Sequence, residues 1–199
     1  MVINMEEKLK EKREFLFDFI SNAIKQGHRE GIEKEMKEYL TLKVPKFIQR
    51  QSEIPTYITD EVGIYANLME EAKECYMFGL YYSTISMVGI TAERFAIELS
   101  DKFKFTINEN PISEKYLFPK GTNQYQRLRL LFKAKIISEK AYKNLDKIRD
   151  IRNDYIHPKK LANVQKDSLK VLELFIEVIN SRFSEKYEFR EGKIIKKQI

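Results

Sequence analysis

Two residues late in the chain have the types and spacing to do chemistry, Arg152 and His157. Arg152 falls on the stripe Ala141, Leu145, Ile148, Arg152, Tyr155, which recurs at helical spacing and is apolar up to the arginine. A guanidinium on such a face points at a neighbouring element. If buried, it needs an anion opposite it, either a carboxylate or a phosphate. His157 follows five residues later and directly precedes Pro158, where the helix should stop. Five residues turn a helix by about 140°, so the two side chains do not stack as an i, i+4 pair would. They converge on one ligand if the helix end loosens or if a second copy of the helix supplies partner groups. A histidine near a helix C-terminus has its cationic form favoured by the dipole, which suits proton transfer near neutral pH. A plainer reading stands beside this one. A stripe arginine is commonly ion-paired, and a histidine before proline commonly caps a helix.

Other charged residues qualify these two. Glu93, in Thr91-Ala92-Glu93-Arg94, is a candidate carboxylate for Arg152, either as a structural ion pair or as a group that tunes the site. Arg149 lies one turn before Arg152 and either attracts phosphate or pairs with Asp146 or Asp150. Lys159 and Lys160 extend a basic rim past the histidine, and such lysines give affinity for a nucleic-acid backbone without specificity. His28 sits by Gly27 in a predicted turn with no constellation of acids or cysteines around it. Cys75 is the single cysteine and reads as a small core residue in a reducing compartment. The 11 Tyr and 13 Phe are spread along apolar stripes and read as core, not as a stacking surface for bases. No glycine-rich phosphate loop, Ser-His-Asp arrangement or metal-ligand spacing is present, so neither a metal nor an organic cofactor is expected.

The elements that must position these residues are helical. Residues 5–26 carry Leu9, Leu16, Phe19, Ile20 and Ala23 at helical spacing, and a second pattern runs through Ile32, Met36, Tyr39 and Leu40. Pro45 and Pro55 bracket a third short piece, so residues 1–55 are expected to form a helical N-terminal extension. Asp60 is a candidate cap for a helix with the stripe Val62, Tyr65, Met69, Ala72 and Tyr76, which Gly79 should end. The next helix, about 80–103, carries Tyr81, Ile85, Val88, Ala92, Phe95, Leu99 and Phe103, with Met87, Ile90 and Ile97 elsewhere on its surface. That girth predicts a central helix. Residues 104–122 read as a loop, and a helix resumes with Tyr125, Leu128 and Phe132. Ser138 and Glu139 then mark the start of the Arg152 helix. A last helix, about 163–185, carries Leu169, Leu172, Ile176, Ile179 and Phe183. The tail from residue 186 alternates around Glu191-Gly192 and can form a short β-hairpin.

Composition agrees with an all-α chain. Gly and Pro number only 7 and 5, too few for the turns of an all-β protein. At 199 residues, with 43% hydrophobic and 33% charged, the chain can bury a core without disulfide or metal. The net charge of +6 permits a polyanionic partner without demanding one. No secretory leader or bilayer-spanning run is evident, so a cytoplasmic, membrane-free protein is expected.

The hexad Arg152-Asn153-Asp154-Tyr155-Ile156-His157 resembles the signature of the HEPN superfamily of helical domains. The run YQRLRLLFKAKIISEKAYKNLDKIRDIRNDYIHP and the earlier YYSTISMVGITAERFAIELSDKF are similar to a HEPN branch common in prokaryotic defence genes, and together they cover about residues 60–185. The resemblance implies a four-helix-type core at 56–185, commonly paired as a homodimer with two motifs facing each other. It implies a metal-independent endoribonuclease acting on RNA in defence or stress response. Arg152 would stabilise the scissile phosphate, His157 would act as general acid or base, and Asn153 would orient the site. Glu93 and Tyr155 would support it, and Arg149, Lys159 and Lys160 would draw in RNA. The attacking group would be the RNA's own 2′-hydroxyl. Other HEPN domains are inert and dock a partner or regulator protein, which is the alternative expectation. Toxin members with a tyrosine two residues after the histidine differ from this chain, which has Lys159 there and Tyr155 as its nearest aromatic.

Overall fold

The computed structural model describes residues 10–16, 18–20, 29–57, 63–103, 106–107, 110–111, 119, 123–156, 163–190 and 193–196. Nearly all are helical. The chain separates into two compact units, residues 1–52 and 53–199.

In the first unit, residues 10–16 and 18–20 are helical and α1 runs Arg29–Glu53. The break expected at Pro45 does not occur, because α1 passes through the proline without ending. A proline inside a helix deletes one hydrogen bond and crowds the preceding turn, at about 3 kcal/mol. It ends a helix only where nothing else holds the two halves in line. In the turn before Pro45 the Thr41 hydroxyl donates to the Lys37 carbonyl at 2.8 Å. Lys12 ties the first helical segment to α1, with Nζ 2.5 Å from Glu35 Oε2 and 3.1 Å from Glu38 Oε2.

The second unit is an all-α bundle of α2 (Ile64–Met77), α3 (Tyr81–Lys102), α4 (Gln124–Lys133), α5 (Glu139–Ile156) and α6 (Val164–Lys186). The predicted apolar stripes supply its core, except that Phe103, just past the end of α3, is 40% exposed. Tyr65, Met69, Ala72 and Tyr76 of α2 are buried, as are Ile85, Val88, Ala92, Phe95 and Leu99 of α3. Each large side chain so buried contributes about 1.5–3 kcal/mol. Tyr65, Phe95 and Phe175 meet edge to face at centroid distances of 5.2, 5.7 and 6.4 Å, locking α2, α3 and α6 together.

α3 is central, packing against α2, α4, α5 and α6. It is not apolar-buried all round, however. Tyr82 and Ile90 are 58% and 47% exposed, so one strip of the helix stays open. Gly79 ends α2 as expected. With φ at 77° it takes the left-handed region that favours glycine, and its N–H donates to the Tyr76 carbonyl while Leu80 N–H donates to that of Cys75. The chain therefore reverses within a few residues, and α3 folds back on α2.

Three local expectations need correction. The start of α2 is Gly63, with extended backbone and no side-chain cap, and Asp60 lies outside the described residues. Within 104–122, Thr106–Ile107 (β1) pairs antiparallel with Asn110–Pro111 (β2): the β-branched Thr106 and Ile107 favour extended backbone, and a two-stranded ribbon has only edges, where proline is tolerated. Cys75 is half-buried rather than core. At the other end of the unit, the tail does form its hairpin, Tyr187–Arg190 (β3) against Lys193–Lys196 (β4), with Phe189 opposite Ile194. No helix among the described residues is long and apolar enough to cross a membrane.

Candidate functional site

α5 starts where the sequence says it should. Ser138 Oγ accepts from Ala141 N–H at 3.2 Å, its carbonyl accepts from Tyr142 N–H, and Glu139 sits in the positive first turn. Ala141, Leu145, Ile148 and Ile151 are buried. Their burial fixes the helix's rotation and carries Arg152 to the edge of the core, against α3.

Gly89 of α3 receives the arginine. A Cβ added there would stand 2.3 Å from Arg152 Cδ, 3.0 Å from Cγ and 3.4 Å from Cβ, so the stem lies in a notch that only glycine leaves open. The Arg152 side chain as a whole is 26% exposed. Its ion pair among the described residues is with Glu93, Nη1 to Oε2 at 3.5 Å, and Glu93 is itself 46% exposed. That distance is long beside the roughly 2.7–2.9 Å of a strong charge-assisted bond. A pair so placed contributes at most about 1 kcal/mol. An incoming anion would therefore compete with a weakly engaged, solvated carboxylate.

One turn beyond Arg152, Tyr155 reaches the same seam. Its hydroxyl donates to Asp167 Oδ2 at 2.7 Å, and its ring meets Tyr82 of α3 edge to face at 5.7 Å and 81°. Because Arg152 meets Gly89 and Tyr155 meets Tyr82, the two helices run antiparallel along the seam. Burial, then the Asp167 carboxylate, pushes the Tyr155 hydroxyl well above its ordinary range. Asp167 is placed by the start of α6, where Asn163 Oδ1 accepts from Lys166 N–H.

Of the residues singled out in the sequence, Arg152, Glu93 and Tyr155 come together on this seam. Asn153 is exposed. Arg149 is engaged elsewhere, with Nη2 2.8 Å from Asp150 Oδ1 and 2.9 Å from Asp146 Oδ1 and its Cζ 5.1 Å over the Tyr125 ring. The Asp146 contact is close without hydrogen-bond alignment. His157, Lys159, Lys160 and His28 lie outside the described residues. Cys75 is remote in character, its thiol pushed up by burial and then by Glu71 and Glu74.

Sequence reasoning missed Gly89, Tyr82 and Asp167. A glycine in the middle of a strong helical pattern costs about 1 kcal/mol against alanine. That cost is the signal that could have pointed to a close approach at Gly89. Tyr82 is concealed by the general reading of aromatics as core.

The fold and seam define an all-helical protein that seats one partly exposed arginine in a glycine notch between two helices. Residues 70–198 match the family described as "Domain of unknown function (DUF4145)", and the chain belongs to that family. The match takes in all of α3, α4, α5 and α6 and therefore the whole seam. Comparison with curated proteins found no match, and comparison with solved structures found none either.

Proposed function

We propose that this chain is a metal-independent endoribonuclease of HEPN type, working as a homodimer in prokaryotic defence or stress response. The observation that carries the reading is the seat of Arg152. Its stem is held by Gly89, while the side chain as a whole is partly exposed and its charged end is loosely paired with Glu93. A structural arginine would be expected to sit closer to its carboxylate. An arginine kept for a ligand needs a fixed stem and a displaceable counter-ion, because preorganised charge stabilises a developing phosphorane most effectively.

In the proposed reaction the 2′-hydroxyl oxygen attacks the adjacent phosphorus and the bond to the 5′-oxygen breaks. The 2′-proton passes to a base and the departing 5′-oxygen gains a proton, leaving a cyclic phosphate and a 5′-hydroxyl. His157 carries a proton in this scheme, Arg152 holds the phosphate oxygens, and Asn153 orients them. A second copy of the motif completes the site, which joins the two chains near residues 149–160.

The test incubates wild type and His157→Ala with a mixed cellular RNA pool, with and without excess EDTA, and maps the ends. Cleavage should survive EDTA, spare DNA of the same sequence and fall about 10²–10⁴-fold in the variant. Equal cleavage by both proteins would sink the assigned mechanism. Light scattering should give twice 23.7 kDa.

A second reading is favoured by one observation. Tyr82, Ile90 and Ile156 are 58%, 47% and 49% exposed on α3 and α5. Exposed apolar side chains of this kind suit a non-catalytic helical module that docks a partner or regulator protein.

A further inference from the structure

We propose that Tyr82 is a stacking platform for a nucleobase of single-stranded RNA whose backbone phosphate rests at Arg152. This rests on the ribonuclease reading and adds to it a binding residue that the motif does not contain.

Tyr82 is the most exposed aromatic side chain among the described residues, at 58%. It shares one face of α3 with Ser86, Gly89 and Glu93, at intervals of four, three and four residues. Seven residues separate Tyr82 from Gly89, which is two helical turns or roughly 10 Å. The Arg152 stem lies on Gly89 and its guanidinium reaches on to Glu93, eleven residues from Tyr82, so the ring and the cation stand roughly 10–16 Å apart along one line, a span of a few nucleotides. The strip between them is open, since Ser86 is exposed. A ring exposed by accident would be free to turn, but this one is braced. Tyr155 presses edge to face against it, and Tyr155 is pinned in turn by Asp167. A ring held in place loses little freedom when a base stacks on it.

A flat exposed ring in line with a cation is an arrangement by which single strands are held without regard to sequence. Ser86 interrupts the apolar surface between Ile90 and Tyr82, and that interruption favours a strand over the continuous contact of a second protein chain.

The experiment measures binding of short fluorescent single strands of fully 2′-O-methylated RNA, which lack the attacking hydroxyl. Tyr82→Ala should weaken binding about five- to a hundred-fold. Tyr82→Phe keeps the ring and should stay within about twofold of wild type, which also guards against a folding artefact. The decisive comparison uses an abasic strand of the same length, on which wild type and Tyr82→Ala should bind equally. Arg152→Ala should reduce the slope of log affinity against log salt by about 0.7, and Tyr82→Ala should leave that slope unchanged.

The failures are distinguishable. Equal weakening by Tyr82→Ala on normal and abasic strands would make the tyrosine merely structural. Full binding by Tyr82→Ala, with Arg152→Ala impaired, would overturn the platform and leave the ribonuclease reading standing. A halving of particle mass in Tyr82→Ala by sedimentation would assign the ring to an interface between copies. No binding of any strand by wild type would sink both.

Discussion

Arg149 and Arg152 stand one turn apart on α5 and meet different surroundings. On the α4 side, Arg149 touches two carboxylates within 3 Å and covers the Tyr125 ring. On the α3 side, Arg152 has its stem clamped by Gly89 and one long contact to a half-exposed glutamate. The same residue type on the same helix is closely paired in one place and loosely paired in the other. The difference is set by the surroundings: α5 itself gives one guanidinium two close carboxylates, whereas α3 clamps the stem of the other and offers it one long contact to Glu93.

The sharpest way to break this contrast is to remove each arginine. Arg152→Ala should lower RNA cleavage about 10²–10³-fold, the usual loss for one preorganised donor. Arg149→Ala should leave cleavage within a few-fold. It should instead lower unfolding stability by about 1 kcal/mol, from two partly exposed ion pairs and one cation–π contact. Equal activity losses, read from initial rates on one RNA substrate, would erase the distinction.

A second test addresses the notch alone. Gly89→Ala places a methyl where Arg152 Cδ already lies, so it should destabilise by about 1–3 kcal/mol despite alanine's better helix propensity. In an Arg152→Ala background the clash is gone, and the same change should stabilise by up to about 1 kcal/mol. Urea melts of the four proteins measure both. Additive effects would mean that the stem does not occupy the notch.

The smallest effect concerns Tyr155, one turn beyond Arg152 and braced against Tyr82. The Tyr155 hydroxyl has its pKa raised above the ordinary 10.0 by burial and by Asp167. As pH climbs past that ordinary value, the unfolded chain releases this proton first, so stability present below it is lost above it. Tyr155→Phe should cost about 0.5–1.5 kcal/mol at neutral pH, through the lost hydrogen bond. Its stability should then fall less steeply than that of wild type above pH 10. Parallel alkaline curves would show that the Asp167 bond does not persist in solution.

Much of this arrangement is legible in the amino-acid order. Leu145 and Ile148 fix the rotation of α5 by spacing alone, and that rotation is what aims Arg152 at a neighbour. Glu93 is identifiable because a stripe arginine needs an anion and the central helix offers this acid. Gly89 is not, since what it admits is contributed from 63 positions away and no local pattern encodes that. Tyr82 escapes because composition ranks tyrosine as half-buried, whereas its exposure depends on how α5 lies across α3. Pro45 misleads for a related reason. Local chemistry predicts a break, and whether the break happens depends on what flanks it.

The reversal at Gly79 carries a consequence for the order of folding. α2 and α3 are neighbours in sequence, joined by a glycine already in the conformation that the turn demands. A helical hairpin closed by such local contacts forms on the fast side of folding. The Arg152–Glu93 contact spans 59 residues, so it must wait for α4 and α5 to arrive. During synthesis, then, α3 spends time as a finished helix whose Gly89 notch is still empty. The seat exists before its occupant, and the Arg152 stem reaches it only as the bundle closes. Substitutions at Tyr76 should accordingly slow folding, and those at Ile148 should chiefly speed unfolding, which stopped-flow measurements of both limbs would separate.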